Sequence, residues 1–166
     1  MTRDQMMQSR ALALRVKRYH TWPMLHPQTV GEHSARVATL YVEIFGLPRA
    51  EVLYYILHHD SGELYAGDPP FPVKKLIAGY KDACDTAEAR GLANLNVELP
   101  DLADWELRRV KVADLMEMCE TGWHEMRLGN SYARPICADT VEAAYKVIAS
   151  EDVPKLNAWY QFMEKV

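Results

Sequence analysis

Four residues of metal-ligand type stand where the surrounding pattern calls for apolar side chains: His33, the adjacent pair His59-Asp60, and Asp114. His33 shares a helical stripe with Val30, Val37 and Leu40, and Asp114 shares one with Leu107, Val110 and Met118. A carboxylate taken out of water without a partner is strongly unfavourable, so such positions need a compensating charge. A divalent cation supplies it. Two imidazoles and two carboxylates make a mixed nitrogen–oxygen shell suited to Mn, Fe, Co, Ni or Zn, and less to Ca. Glu63 falls one helical turn after His59 and Asp60, a spacing that lets its carboxylate reach solvent beside such an ion.

The elements that must carry these residues read as helices. Val30, His33, Val37, Leu40 and Ile44 form one run, ended by Gly46 and Pro48. Val52, Leu53, Ile56 and Leu57 form a second that leads into His59-Asp60, and Leu107, Val110, Asp114 and Met118 form a third, stopped near Gly122. Val141, Ala144, Val147 and Ile148 form a fourth, and Pro154 opens a short fifth with Trp159 and Phe162. The stretch from about Asp4 to Val16 also reads as helix. Between the runs lie breakers: His26-Pro27-Gln28, the segment Gly67-Asp68-Pro69-Pro70-Phe71-Pro72, and residues 91–101, which look like a loop. No period-2 segment of useful length appears. The expected architecture is all-α, a single domain over residues 1–166 with about seven helices around a metal site.

Composition narrows the function classes. The length of 166 residues fits one domain, and 49% hydrophobic with 25% charged residues excludes wholesale disorder. Nineteen Lys plus Arg against 23 Asp plus Glu leave a net charge of −4, which speaks against a nucleic-acid polymer as partner. Apolar runs are far shorter than the ~20 residues of a membrane helix, and no secretion signal is read at the start. Cys84, Cys119 and Cys137 are widely spaced, with no CxxC pair, so neither a zinc knuckle nor a disulfide scaffold is expected. A reducing cytoplasm fits. Arg10, Arg15, Lys17 and Arg18 form a local basic cluster that suits a small polyanion.

The words around the candidate ligands carry a resemblance. Gly31-Glu32-His33-Ser34, His58-His59-Asp60 and Val112-Ala113-Asp114 resemble the H…HD…D set of the HD-domain phosphohydrolases. Arg18-Tyr19-His20, Gln28-Thr29-Val30-Gly31-Glu32-His33-Ser34 and His59-Asp60-Ser61-Gly62-Glu63, continuing through Gly67-Asp68-Pro69-Pro70-Phe71-Pro72-Val73-Lys74, look like the small bacterial 5′-deoxynucleotidases. They are also similar to the compact dATP triphosphohydrolases of phages that replace adenine with 2-aminoadenine. The likeness covers about residues 15 to 120. HD alone is a weak signal, whereas HD-x-x-E followed by GD-x-P-x-P-V-K is specific.

The resemblance implies roles for individual residues. His33, His59, Asp60 and Asp114 match the metal ligands, and Glu63 the acidic residue that acts on the attacking water. Asp68 matches a second carboxylate beside the scissile phosphate. Arg18 matches an arginine that meets phosphate, and Lys74 the lysine at the end of the proline-rich turn. Tyr19 stands where the bacterial enzymes carry a tryptophan against the sugar. Trp22, Pro23 and Met24 either wall the base pocket or pack in the core. His20 and His58 are expected in packing roles.

Phosphate esters need accelerations that general acid–base groups, at ~10²–10⁴, do not supply alone, so a metal suits the task. The implied cofactor is a divalent transition metal (Co, Mn, Zn or Ni, with Mg admitted). The implied substrate is a deoxyribonucleotide, with dATP, dADP or dAMP going to deoxyadenosine plus phosphate or triphosphate and the dATP reading slightly ahead. Alternatives are a 5′-deoxynucleotidase for deoxyribonucleoside 5′-monophosphates in general, a non-catalytic nucleotide-sensing module, and a cyclic-nucleotide or (p)ppGpp hydrolase. Glu63 speaks against a sensor, and the Pro70-x-Pro72-Val73-Lys74 turn against the last. The resemblance further implies a homo-oligomer (dimer or hexamer) in a bacterial or phage-infected cytoplasm. Trp159, Tyr160, Phe162 and Met163 are the expected apolar area for subunit contact.

Overall fold

The structure, a computed structural model, describes residues 2–68 and 76–163. The proline-rich turn from Pro69 onward and Lys74 lie outside the described residues. Of the described residues 72% are helical. Among the described residues there is no strand, only an isolated antiparallel bridge between Lys17 and Thr29. Seven helices of nine residues or more are described, in line with the expected number: α1 (Arg3–Ala13), α2 (Val30–Phe45), α3 (Ala50–His58), α5 (Tyr80–Asn94), α6 (Asp104–Arg127), α7 (Arg134–Val147) and α8 (Val153–Met163). A single four-residue turn of helix, α4 (Glu63–Ala66), follows α3.

The residues gather into two compact units. One comprises Met1–Ser34 and Leu57–Leu99, the other Ala35–Ile56 and Pro100–Val166. In the first unit, Thr2 caps α1 through a reciprocal pair with Gln5, each satisfying a backbone N–H of the other. Past α1 the chain turns back on itself: Arg18 donates its backbone N–H to the Gln28 carbonyl (2.9 Å), and Val30 donates to that of Val16 (2.9 Å). This return delivers Thr29 to the start of α2. There the Glu32 carboxylate accepts the Thr29 N–H (2.8 Å) while the Thr29 hydroxyl accepts the N–H of Glu32 (3.3 Å). Ala13, Leu95 and Val97 form the apolar centre, with Leu64, Leu92 and Leu99 packed on it.

Helix α5 lies where no apolar stripe predicts one, and Gly91–Asn94 are its last turn rather than the start of a loop. Its sequence carries four alanines, which favour helix without marking a face. Gly91 reads as a breaker but works as a contact. A Cβ on it would sit 2.5 Å from the Gly62 carbonyl oxygen, and a Cβ on Gly62 would collide with the Glu88 carbonyl oxygen. The two backbones therefore touch at a pair of glycines.

In the second unit, α2 ends at Gly46, whose φ of +87° suits a residue without Cβ, and Pro48 prevents continuation. The core holds Leu40, Ile44, Val112, Leu115, Met116, Cys119, Cys137, Ala144, Leu156 and Trp159, with Val37, Tyr41, Val52, Ile56, Val110 and Ala113 in an adjoining cluster. The buried face of α6 differs from the expected stripe. Leu107 is exposed and Met118 only half-buried, while Glu106, Glu117 and Glu125 are buried. These carboxylates have partners: Arg49 on Glu106 (2.7 and 2.8 Å), Thr121 on Glu117 (2.9 Å) and Asn130 on Glu125 (2.6 Å). The C-terminal helix also departs from expectation. Trp159 is in the core with Tyr160 and Met163 packed against it, so Phe162, 63% exposed, is the one large apolar side chain of the four left outward. Among the described residues no helix is long and apolar enough to cross a membrane.

Candidate metal centre

His33 sits in the first turn of α2, where its N–H donates to the Thr29 carbonyl (3.0 Å), and its side chain is fully buried. His59 and Asp60 were expected inside a helical run. They instead occupy the turn just past the last residue of α3, because the N–H of Ser61 closes on the His58 carbonyl (3.0 Å) and that of Glu63 on the Asp60 carbonyl (3.0 Å). The turn aims both side chains at His33. Nε2 of His33 lies 3.4 Å from Oδ2 of Asp60, and Nε2 of His59 lies 3.3 Å from Oδ1. The two imidazole rings are 5.9 Å apart between centres. One donor atom from each of the three residues falls within 4.8 Å of the others, a spacing that could hold a metal ion. Two imidazole nitrogens and a carboxylate oxygen suit Zn, Co, Mn or Ni.

Arg18 approaches from the return segment, its Nη1 donating to Oδ2 of Asp60 at 3.0 Å. Its side chain is largely buried, so the charge is held at the centre. Tyr19, next in the chain, has φ +55° in the left-handed region. Its backbone N–H donates to Oδ2 of Asp68 (3.2 Å), and its ring centre lies 5.8 Å from the Arg18 guanidinium carbon. Asp68 thus touches the turn that presents Arg18 and Tyr19.

Glu63 departs from expectation. Its carboxyl is not at the solvent edge: the residue is 5% exposed, and among the described residues no hydrogen-bond partner lies on its Oε2 atom. The close approach of Gly62 and Gly91 brings the backbone of α5 against this turn. Burial, with the nearby carboxylates of Asp60 and Asp68 adding to it, pushes the Glu63 carboxyl up to about 9. Glu88 of α5 adds a further negative charge to the same field, a contributor that the sequence reading missed along with the helix that carries it. A buried carboxyl with an open oxygen, set beside two imidazoles and an aspartate, fits a cation-binding centre.

The first unit thus brings together His33, His59, Asp60, Glu63, Arg18, Tyr19 and Asp68. Asp114 belongs to the second unit, partly buried on α6 and ion-paired with Lys111. Two residues of the expected basic cluster have partners that place them. Arg10 donates to the carbonyls of Leu95 and Asn96, tying α1 to the segment after α5, and Arg18 faces Asp60. His58 is in a packing environment, and burial together with Arg10 lowers its pKa.

Solved structures share this fold. An HD-domain phosphohydrolase from Listeria innocua superposes with a TM-score of 0.72 at 19% identity, over 88% of this chain and 81% of that one. A conserved hypothetical protein from Pyrococcus furiosus gives 0.71 at 19% identity, over 98% and 99%. The cyanophage S-2L HD phosphohydrolase DatZ, bound to dA and one catalytic Zn2+ ion, gives 0.70 at 20% identity, over 95% and 94%. No family model matches the sequence, and no curated protein matches it. The fold is that of the HD-domain phosphohydrolases, in line with the resemblance of the sequence motifs.

Proposed function

We propose that the protein is a metal-dependent phosphohydrolase of deoxyribonucleotides, with dATP as its first substrate and deoxyadenosine plus triphosphate as products. The observation that carries this reading is the convergence of His33, His59 and Asp60 beside the buried carboxyl of Glu63. The dA-bound cyanophage structure supports an adenine deoxynucleotide over other small molecules. Residues 1–166 would act as one domain, in a homo-oligomer inside the cytoplasm.

His33, His59 and Asp60 hold the metal. Asp114 is assigned as fourth ligand on the sequence resemblance alone. A divalent ion bound by these residues would supply Lewis-acid chemistry, polarising a phosphoryl oxygen and lowering the pKa of water from ~15.7 toward ~7. Glu63, buried beside the three ligands, is assigned to take the proton of the attacking water. Asp68 serves as the proton donor to the leaving oxygen. Arg18 and Lys74 offset the charge that grows on the phosphoryl oxygens. Tyr19 forms the wall against the sugar.

The test is a product analysis. Purified protein is loaded separately with Zn, Co, Mn and Mg and incubated with dATP, ATP, dAMP, AMP and the other deoxynucleotides. Deoxyadenosine and triphosphate from dATP are expected. Release of phosphate from all deoxynucleoside monophosphates, with dATP untouched, would replace the proposal by a general 5′-deoxynucleotidase. Intact nucleotides with every metal, on protein that demonstrably binds metal, would make it a sensing module. His59→Ala should remove bound metal and turnover together.

A further inference from the structure

The sequence resemblance gives Arg18 to phosphate, yet its guanidinium is already engaged within the protein. Nη1 donates to Oδ2 of Asp60 at 3.0 Å, and the side chain is only 8% exposed. Two imidazoles face the same carboxylate: Nε2 of His59 lies 3.3 Å from Oδ1, and Nε2 of His33 lies 3.4 Å from Oδ2. Both separations exceed ordinary N–H···O length, so of these three contacts the one from Arg18 is the close hydrogen bond. It is also charge-assisted, the stronger and more directional kind. The backbone behind it is pinned. The Arg18 N–H donates to the Gln28 carbonyl (2.9 Å), Lys17 bridges to Thr29, and the Tyr19 N–H donates to Oδ2 of Asp68 (3.2 Å). A segment fixed on both sides thus holds the guanidinium on Asp60.

On the reading of His33, His59 and Asp60 as metal ligands, we propose that Arg18 is a positioning residue for the metal. It grips the Asp60 carboxylate at Oδ2, so that Oδ1, the oxygen beside His59, is the one offered to the ion. Outer hydrogen-bond partners of this kind orient a metal ligand, and losing one typically costs about 10–100-fold in metal affinity. The guanidinium carries five N–H donors in a rigid fork, so the one spent on Asp60 leaves others for a phosphoryl oxygen. One side chain then joins the metal ligand to the charge of the substrate, and the N–H of the next residue ties Asp68 to the same turn. Electrostatics without positioning has the opposite sign. A guanidinium repels a divalent cation, so deleting its charge alone would tighten metal binding.

The experiment measures metal binding with no nucleotide present. Metal-stripped full-length protein is titrated with Zn2+ against a chromophoric chelator, and with Co2+ followed by its visible absorption, which reports ligand set and geometry. Arg18→Met removes the charge and the donors and keeps an apolar stem. It should weaken binding of both ions by about 10–100-fold and change the Co2+ spectrum. Unchanged or tighter binding with the spectrum of the unmodified chain would overturn the proposal. Arg18→Lys keeps the charge and loses the fork, so electrostatics alone predicts no change there. It should bind metal more weakly than the unmodified chain and more tightly than Arg18→Met. Binding by Arg18→Lys equal to that of the unmodified chain would also overturn the role, and this variant decides if Arg18→Met does not fold. An unmodified chain that binds neither ion would sink the metal centre and the role of Arg18 together. Normal binding there with an indifferent Arg18→Met sinks the role of Arg18 alone. No readout depends on turnover.

Discussion

Replacing Gly91 by alanine sets two effects of opposite sign against each other. Alanine is the better helix former by about 1 kcal/mol, and Gly91 lies inside α5, so propensity alone predicts a more stable protein. The new Cβ, however, would stand 2.5 Å from the carbonyl oxygen and 2.9 Å from the Cα of Gly62. Both are backbone atoms, so no side chain can rotate away. Opening the contact to an ordinary 3.4 Å requires a displacement of about 0.9 Å between α5 and the turn that carries His59, Asp60 and Glu63. Overpacking of this kind costs about 1–3 kcal/mol, here toward the upper end, which leaves a net loss of about 2 kcal/mol. For a chain of this length that is a melting point lower by about 4–8 °C. A shift of ~1 Å at reacting groups also costs about 10²-fold in rate, so turnover should fall well beyond what the lost stability explains at 25 °C. Thermal unfolding followed by circular dichroism, with turnover on the same preparation, is the assay. A melting point equal to or above that of the unmodified chain would refute the backbone contact and the argument built on it.

Other outcomes follow from the same structure. Glu63→Gln should leave metal occupancy near normal while reducing kcat by ~10²–10⁴, read by metal analysis and product release; an unchanged kcat would remove Glu63 from the chemistry. Deoxynucleotides should be preferred over ribonucleotides by roughly 10 to 100 in kcat/KM, and Tyr19→Trp should raise that ratio, as paired assays of dATP and ATP would show. The Arg49 guanidinium holds the Glu106 carboxyl down at about 2, below the ordinary 4.5, so the unfolded chain binds this proton more readily. The stabilisation is complete above pH ~4.5 and lost as pH falls toward ~2. Glu106→Gln should flatten the dependence of melting point on pH across that window.

Hydropathy made the helices with one apolar face legible: α2, α3, α7 and α8 lie where their stripes put them. It failed at α5, whose contact is made by Gly62 and Gly91, residues with no side chain to register in any pattern. It also misjudged the buried side of α6, because Glu106, Glu117 and Glu125 are assigned to solvent by type, and only their partners Arg49, Thr121 and Asn130 make burial tolerable. The candidate centre was legible as a set of residue types, and His33, His59 and Asp60 do converge. The environment of Glu63 was not. Its distance along the chain from Asp60 was read as a route to solvent, whereas the side chain is buried in a turn that packs against α5, a helix unseen in the sequence.

The left-handed backbone at Tyr19 has a consequence for variation at that position. A residue with a Cβ is strained there by about 1 kcal/mol, and the bond from its N–H to Asp68 holds the turn in place. Removing the ring by Tyr19→Ala keeps this strain, whereas Tyr19→Gly removes the ring and releases it. Both variants lack the ring, so their comparison sets the tension of the turn, offset by the extra backbone freedom glycine gives the unfolded chain, apart from the work of the aromatic wall. The turn thereby sorts the amino acids that can stand at position 19 into those that inherit its tension and the one that is exempt.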